Sequence, residues 1–164
     1  MSEKEVTYRE VFQRIDALLS EPCDWIAVMS TVVCELHHAF DNYNWTGFYR
    51  TVAPNLLQIG PYQGGHGCID IPFSRGVCGA AARTKTTQLV ADVHSFPGHI
   101  ACSSSTLSEI VVPIISTSGT VIAVLDVDSD ERASFDATDK AYLEHLCARL
   151  GRDYGHEAEL TIRS

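Results

Sequence analysis

The chain is predicted to fold as an α+β domain, an antiparallel sheet with helices packed on one face and the other face free for a ligand pocket. Three observations carry this expectation. Apolar residues repeat at helical spacing near both ends, β-branched runs separated by turn residues fill the middle, and the strongest of those runs make a hairpin around Ser118-Gly119.

Tyr8, Val11, Phe12, Ile15, Leu18 and Leu19 share one face of a first amphipathic helix, which Ser20-Glu21-Pro22 breaks. A second helix is expected to start around Pro22, a residue tolerated in a first turn, and to bury Ile26, Met29, Val32 or Val33, Leu36 and Phe40. Residues 44–51 and 56–62 read as strands joined at Pro54-Asn55, and Gln63-Gly64-Gly65-His66-Gly67 is too rich in glycine to stay regular. A short strand over 68–73, a short helix over 76–83 and a short strand over 87–90 follow. Residues 92–105, a mixture of His, Ser, Gly and Pro, form a loop longer than most that compact domains keep without a function. The hairpin pairs 109–117 with 120–128. A closing helix opens at Asp136 as N-cap, carries Tyr142, Leu143, Leu146, Cys147 and Leu150, and is expected to stop at Gly151. The domain then spans 1–154, with 155–164 as a polar tail.

A chain of 164 residues is long enough for one domain with a sizeable core. Its net charge of −9 repels phosphate backbones and anionic lipid, which argues against nucleic acid or membrane as partners. The N-terminal Met1-Ser2-Glu3-Lys4-Glu5 lacks the apolar core of a signal peptide, so a cytoplasmic location with resting thiols reduced is expected. The oligomeric state stays open, a homodimer included.

Six cysteines then need separate accounts. Cys147 lies on the apolar stripe of the last helix and fits as core filler; Cys23 and Cys34, on the second helix without glycine or polar neighbours, fit the same role. Cys78 sits in Gly76-Val77-Cys78-Gly79 at a helix start, where the dipole favours a thiolate, and from the residues alone it is the first choice of nucleophile. A tight helix–sheet contact explains its glycines equally well. Cys102 ends Gly98-His99-Ile100-Ala101-Cys102 near His94 and His99, and Cys68 follows the glycine loop, as a thiol that must travel to meet a sulfenic acid would. Zinc on these cysteines with His66, His94 and His99 is disfavoured because no Cys-x-x-Cys or His-x-x-x-His pair exists, and no metal or cofactor is expected.

A turn centred on Ser118-Gly119 places Glu109 opposite Asp128 and Val111 opposite Asp126, all on one face. Three carboxylates crowded there call for a positive charge, such as a substrate ammonium. Solvent-exposed strand ends are the alternative, and a one-residue bulge would reverse the faces. Trp45 and Tyr49, four apart on a strand, share a face and could box a methyl group.

Taken in order, the segments Asn44-Trp45-Thr46-Gly47-Phe48-Tyr49, Gly60-Pro61-Tyr62-Gln63-Gly64, Gly76-Val77-Cys78-Gly79, Asp92-Val93-His94, Gly98-His99-Ile100-Ala101-Cys102 and Val124-Leu125-Asp126-Val127-Asp128-Ser129 closely resemble the free methionine-(R)-sulfoxide reductase family. The resemblance implies a single GAF domain with a six-stranded antiparallel sheet, reduction of free methionine-(R)-sulfoxide and a thioredoxin-like reductant. It maps the nucleophile to Cys102, the resolving thiol to Cys68 and an auxiliary thiol to Cys78. It further implies substrate contacts from Glu109, Asp126, Asp128, Trp45, Tyr49 and the backbone near Ile100 and Ala101. A non-catalytic GAF sensor of a small molecule is the rival reading, and a zinc-dependent hydrolase a third.

Overall fold

The computed structural model describes residues 1–164. Its elements run α1 (Glu3–Leu18), α2 (Trp25–Ala39), β1 (Trp45–Ala53), β2 (Leu56–Gln63), β3 (Asp70–Pro72), α3 (Gly76–Thr84), β4 (Gln88–Val90), β5 (Ser108–Ile115), β6 (Val121–Ser129) and α4 (Ala137–Glu159). The six strands form one antiparallel sheet in the order β3-β2-β1-β6-β5-β4. The expected α+β class and six-stranded sheet are therefore found.

Strand alternation sorts the core into two layers. Ile110, Val112 and Ile114 of β5 with Leu125 and Val127 of β6 face α1, α2 and α4, while Val111 and Val124 face the other way. On that second face lies α3, packed through Val77, Cys78, Ala81 and Ala82. Three helices thus cover one face, and the short fourth walls the pocket on the other. Asp139, buried at the start of α4, accepts bonds from Lys4 Nζ and the Tyr8 hydroxyl, each at 2.7 Å, and so ties α1 to α4.

Several boundaries differ from the expectation for local reasons. Asp24 caps α2 by accepting from Ala27 N–H at 2.8 Å, so the helix starts after Pro22 rather than at it. That phase turns Ile26 outward and buries Trp25 and Val28 instead. Leu18, in the last turn of α1, is exposed as well. The largest correction is at the C-terminus, because α4 passes through Gly151 and Gly155 and ends at Glu159, leaving no tail from 155. Both glycines are buried, and Cβ atoms on them would meet the Ile115 carbonyl and the Cβ and Cα of Ser116, respectively. They permit close helix–sheet contact instead of ending the helix.

Candidate active site

The expected hairpin register is observed through most of its length. Glu109 pairs with Asp128 and Val111 with Asp126, and the only slip comes at Ile115, beyond the acids. Glu109 and Asp126 are 6 % and 4 % exposed, and the Asp126 and Asp128 Oδ1 atoms are shielded from solvent without a hydrogen-bond partner. These acids are not exposed strand ends. No Lys, Arg or His forms an ion pair with any of them. Burial first, then mutual repulsion, holds the Asp126 and Asp128 carboxyls well above the usual range; burial also raises Glu109. The direction is the same for all three: the protonated form is favoured over what an exposed carboxyl would show.

Trp45 and Tyr49 of β1 stack with ring centroids 5.7 Å apart on the same pocket face. Over them lies the glycine loop, held by a bond of 2.9 Å from Trp45 Nε1 to the Gly65 carbonyl. A Cβ on Gly67 would approach Tyr49 Oη to 2.9 Å and Trp45 Cζ2 to 3.0 Å, so a larger residue would lift the loop off the rings. The same loop delivers Cys68, which is joined to Cys102 in a disulfide with Cα atoms 5.3 Å apart. The pocket between these walls takes in Trp45, Tyr49, Cys78, Cys102 and all three acids, with an open volume of about 40 Å³.

A helix start does not activate Cys78. Its thiol is buried at 4 % exposure, 4.0 Å from Glu109 Oε1, and burial together with the three acids pushes its pKa well above the usual thiol value. A helix dipole is worth at most about 1–2 kcal/mol and is overcome here. These surroundings oppose the thiolate that a helix start alone would favour at Cys78. Cys34 also departs from expectation: it is exposed on α2, whereas Cys147 is core as expected. Cys23 lies just before α2 and is partly buried.

Residues 16–152 match the family model described as a GAF domain. The chain is 41 % identical over 155 residues to the free methionine-R-sulfoxide reductase of Saccharomyces cerevisiae, covering 91 % of this chain and 86 % of that protein. The Escherichia coli enzyme of the same name is 36 % identical over 143 residues, covering 87 % of this chain and 86 % of the enzyme. A crystal structure of the Neisseria meningitidis free methionine-R-sulfoxide reductase in complex with its substrate superposes with a TM-score of 0.86 at 40 % identity, over 98 % of this chain and 93 % of that one. The chain belongs to the free methionine-R-sulfoxide reductase family.

Its candidate reductase site contains lining residues that sequence reasoning did not assign. Thr106, buried at 7 %, follows Cys102 by four positions, and Ile71 and Val77 close the apolar wall. His66 and His99 also line the pocket, and burial lowers the His99 pKa, with His94 adding to the effect. The sequence offered one signal for both histidines, their nearness to Cys68 and Cys102. Ile100 reaches the pocket, but Ala101 is exposed and outside the lining. Ala101 sits in a tight turn, with Cys102 N–H donating to the Ile100 carbonyl at 3.0 Å. The Ile100 and Ala101 backbone N–H groups donate to no protein acceptor.

Proposed function

We propose that this chain reduces free L-methionine-(R)-sulfoxide to L-methionine through Cys102. The observation that carries this reading is the meeting, in one pocket, of Cys102 linked to Cys68 and three carboxylates, two of them buried, that no basic side chain pairs. The Neisseria relative, crystallised with its substrate, supports it.

In the reduced enzyme the Cys102 thiolate attacks the sulfoxide sulfur while a protonated carboxyl among Glu109, Asp126 and Asp128 gives its proton to the sulfoxide oxygen. Oxygen passes to Cys102 as the S–O bond of the substrate breaks, so methionine leaves and the thiol becomes a sulfenic acid. Cys68 then attacks that sulfur, expelling water and forming the Cys68–Cys102 disulfide. A thioredoxin-like dithiol reduces the disulfide by exchange, and Cys78 serves as an auxiliary thiol beside it. A reducing compartment such as the cytoplasm supplies that reductant.

The carboxylates that remain ionised hold the α-ammonium, Trp45 and Tyr49 box the S-methyl group, and the N–H groups at Ile100 and Ala101 meet the α-carboxylate. Such a cage selects the free amino acid, because a peptide nitrogen carries no charge to offset the buried acids. The test is a thioredoxin-coupled NADPH assay on the free (R) epimer, the free (S) epimer and N-acetyl-methionine sulfoxide. Turnover of the first with the other two nearly inert is expected. Comparable rates on the N-acetyl compound would remove the ammonium cage; binding of the free sulfoxide without turnover would favour the sensor reading.

A further inference from the structure

We propose that Cys78, Glu109 and Asp126 form a binding site for a thiophilic divalent cation of the zinc group. Cys78 stands outside the two-thiol cycle of Cys102 and Cys68, yet it sits among the acids. Its sulfur, one Glu109 oxygen and one Asp126 oxygen all lie within 4.8 Å of one another, and each residue is buried. Zinc bonds of about 2.3 Å to sulfur and about 2.0–2.2 Å to oxygen put neighbouring ligand atoms about 3.3–3.6 Å apart. Closing from 4.0 Å between Cys78 Sγ and Glu109 Oε1 asks only for small side-chain rotations.

Two further observations point to a cation. Asp126 Oδ1 is shielded within a residue 4 % exposed and accepts no hydrogen bond, and Asp128 Oδ1 beside it is likewise unpartnered. Buried acceptors of this kind are costly when left unmade, and no basic side chain of the chain answers them. Size agrees as well. The open volume of about 40 Å³ in the disulfide-linked state has room for an ion and a few waters at about 10–15 Å³ each.

The donor set decides which ion. Magnesium and calcium prefer oxygen shells of six or more, whereas one thiolate with two carboxylates suits zinc or cadmium and leaves an open position. Under the reductase reading, a cation held here occupies the place of the substrate ammonium, so it inhibits turnover and a chelator restores it.

The experiment uses the full-length chain with its disulfide intact, so that Cys68 and Cys102 offer no thiolate. Cys34→Ser removes the exposed thiol whose sulfur lies 3.9 Å from His38 Nδ1. Titration with Cd²⁺ should show one equivalent with a thiolate-to-cadmium absorption band, and titration with Zn²⁺ should give the affinity. Adding Cys78→Ser should abolish the band, and either Cys78→Ser or Asp126→Asn should weaken Zn²⁺ by more than about tenfold. Glu109→Gln supplies the same comparison where one of those variants does not fold. Absence of the band, or binding that survives all the folded variants, would overturn the proposal. Because binding is read without turnover, reduction of methionine sulfoxide without cadmium uptake removes the metal site alone, and uptake without reduction removes the reductase reading alone.

Discussion

Glu109 and Asp128 stand opposite each other across the β5–β6 ladder, and no basic side chain pairs with either. Like charges placed directly across strands destabilise a sheet, and burial amplifies the effect. Glu109→Gln and Asp128→Asn should therefore leave the melting temperature unchanged or raise it, while turnover falls about a hundredfold or more. Acids that served stability would behave the other way, losing about 1 kcal/mol or more on substitution while the folded molecules stayed active. Melting curves and rates on the two variants separate these cases.

The same cluster predicts an unusual pH dependence. Burial and neighbouring acids hold the Asp126 carboxyl well above its ordinary pKa, so over the interval between the unfolded and folded values the native state binds more protons than the unfolded chain. Stability must then fall as pH rises through that interval. Well below the ordinary aspartate pKa of about 3.9 the carboxyl is protonated in both states and contributes little. Asp126→Asn should match the parent there, and its advantage in melting temperature should open above that pKa and widen toward neutrality. An advantage of the parent that grows with pH would show that a cation stabilises the carboxylate.

Gly151 offers a test of helix–sheet contact away from the pocket. Alanine is the better helix former by about 1 kcal/mol. At Gly151, however, the new Cβ would run into the Ile115 carbonyl, which is backbone of the central hairpin and unable to step aside. Overpacking of this sort costs about 1–3 kcal/mol, so Gly151→Ala should lower the melting temperature despite its helical preference.

What could be read from the sequence follows the reach of each signal. The hairpin register was legible because a two-residue turn centre and period-two alternation are local, and together they place Glu109, Asp126 and Asp128 on one face. Trp45 and Tyr49 were legible for the same reason. The Gly151 and Gly155 contacts were not, since a glycine that ends a helix and one that lies against a sheet look alike until the partner, Ile115 or Ser116, is known. At Cys78 the helix start was legible, but the acids that surround the thiol come from strands more than thirty residues away. The loop histidines His66 and His99 converge on the pocket only because the loops at Cys68 and Cys102 meet.

Assignment of the thiols gives the last prediction. Cys102 is disulfide-linked to Cys68 at the pocket, whereas Cys78 is buried among acids that oppose its ionisation. A nucleophile must supply a thiolate to the sulfoxide sulfur, and Cys78 is poorly placed to ionise until a cation relieves the carboxylates. Cys102→Ser should accordingly abolish reduction of free methionine-(R)-sulfoxide. Cys68→Ser should still release about one methionine per chain in a single turnover, since oxygen transfer precedes disulfide formation, and should then stall as a sulfenic acid that a dimedone-type reagent traps. Appreciable turnover by Cys102→Ser, together with a dead Cys78→Ser, would reverse the assignment. In that event the substrate ammonium itself would have to lower the Cys78 pKa, and the dependence of single-turnover rate on pH would follow Cys78 rather than Cys102.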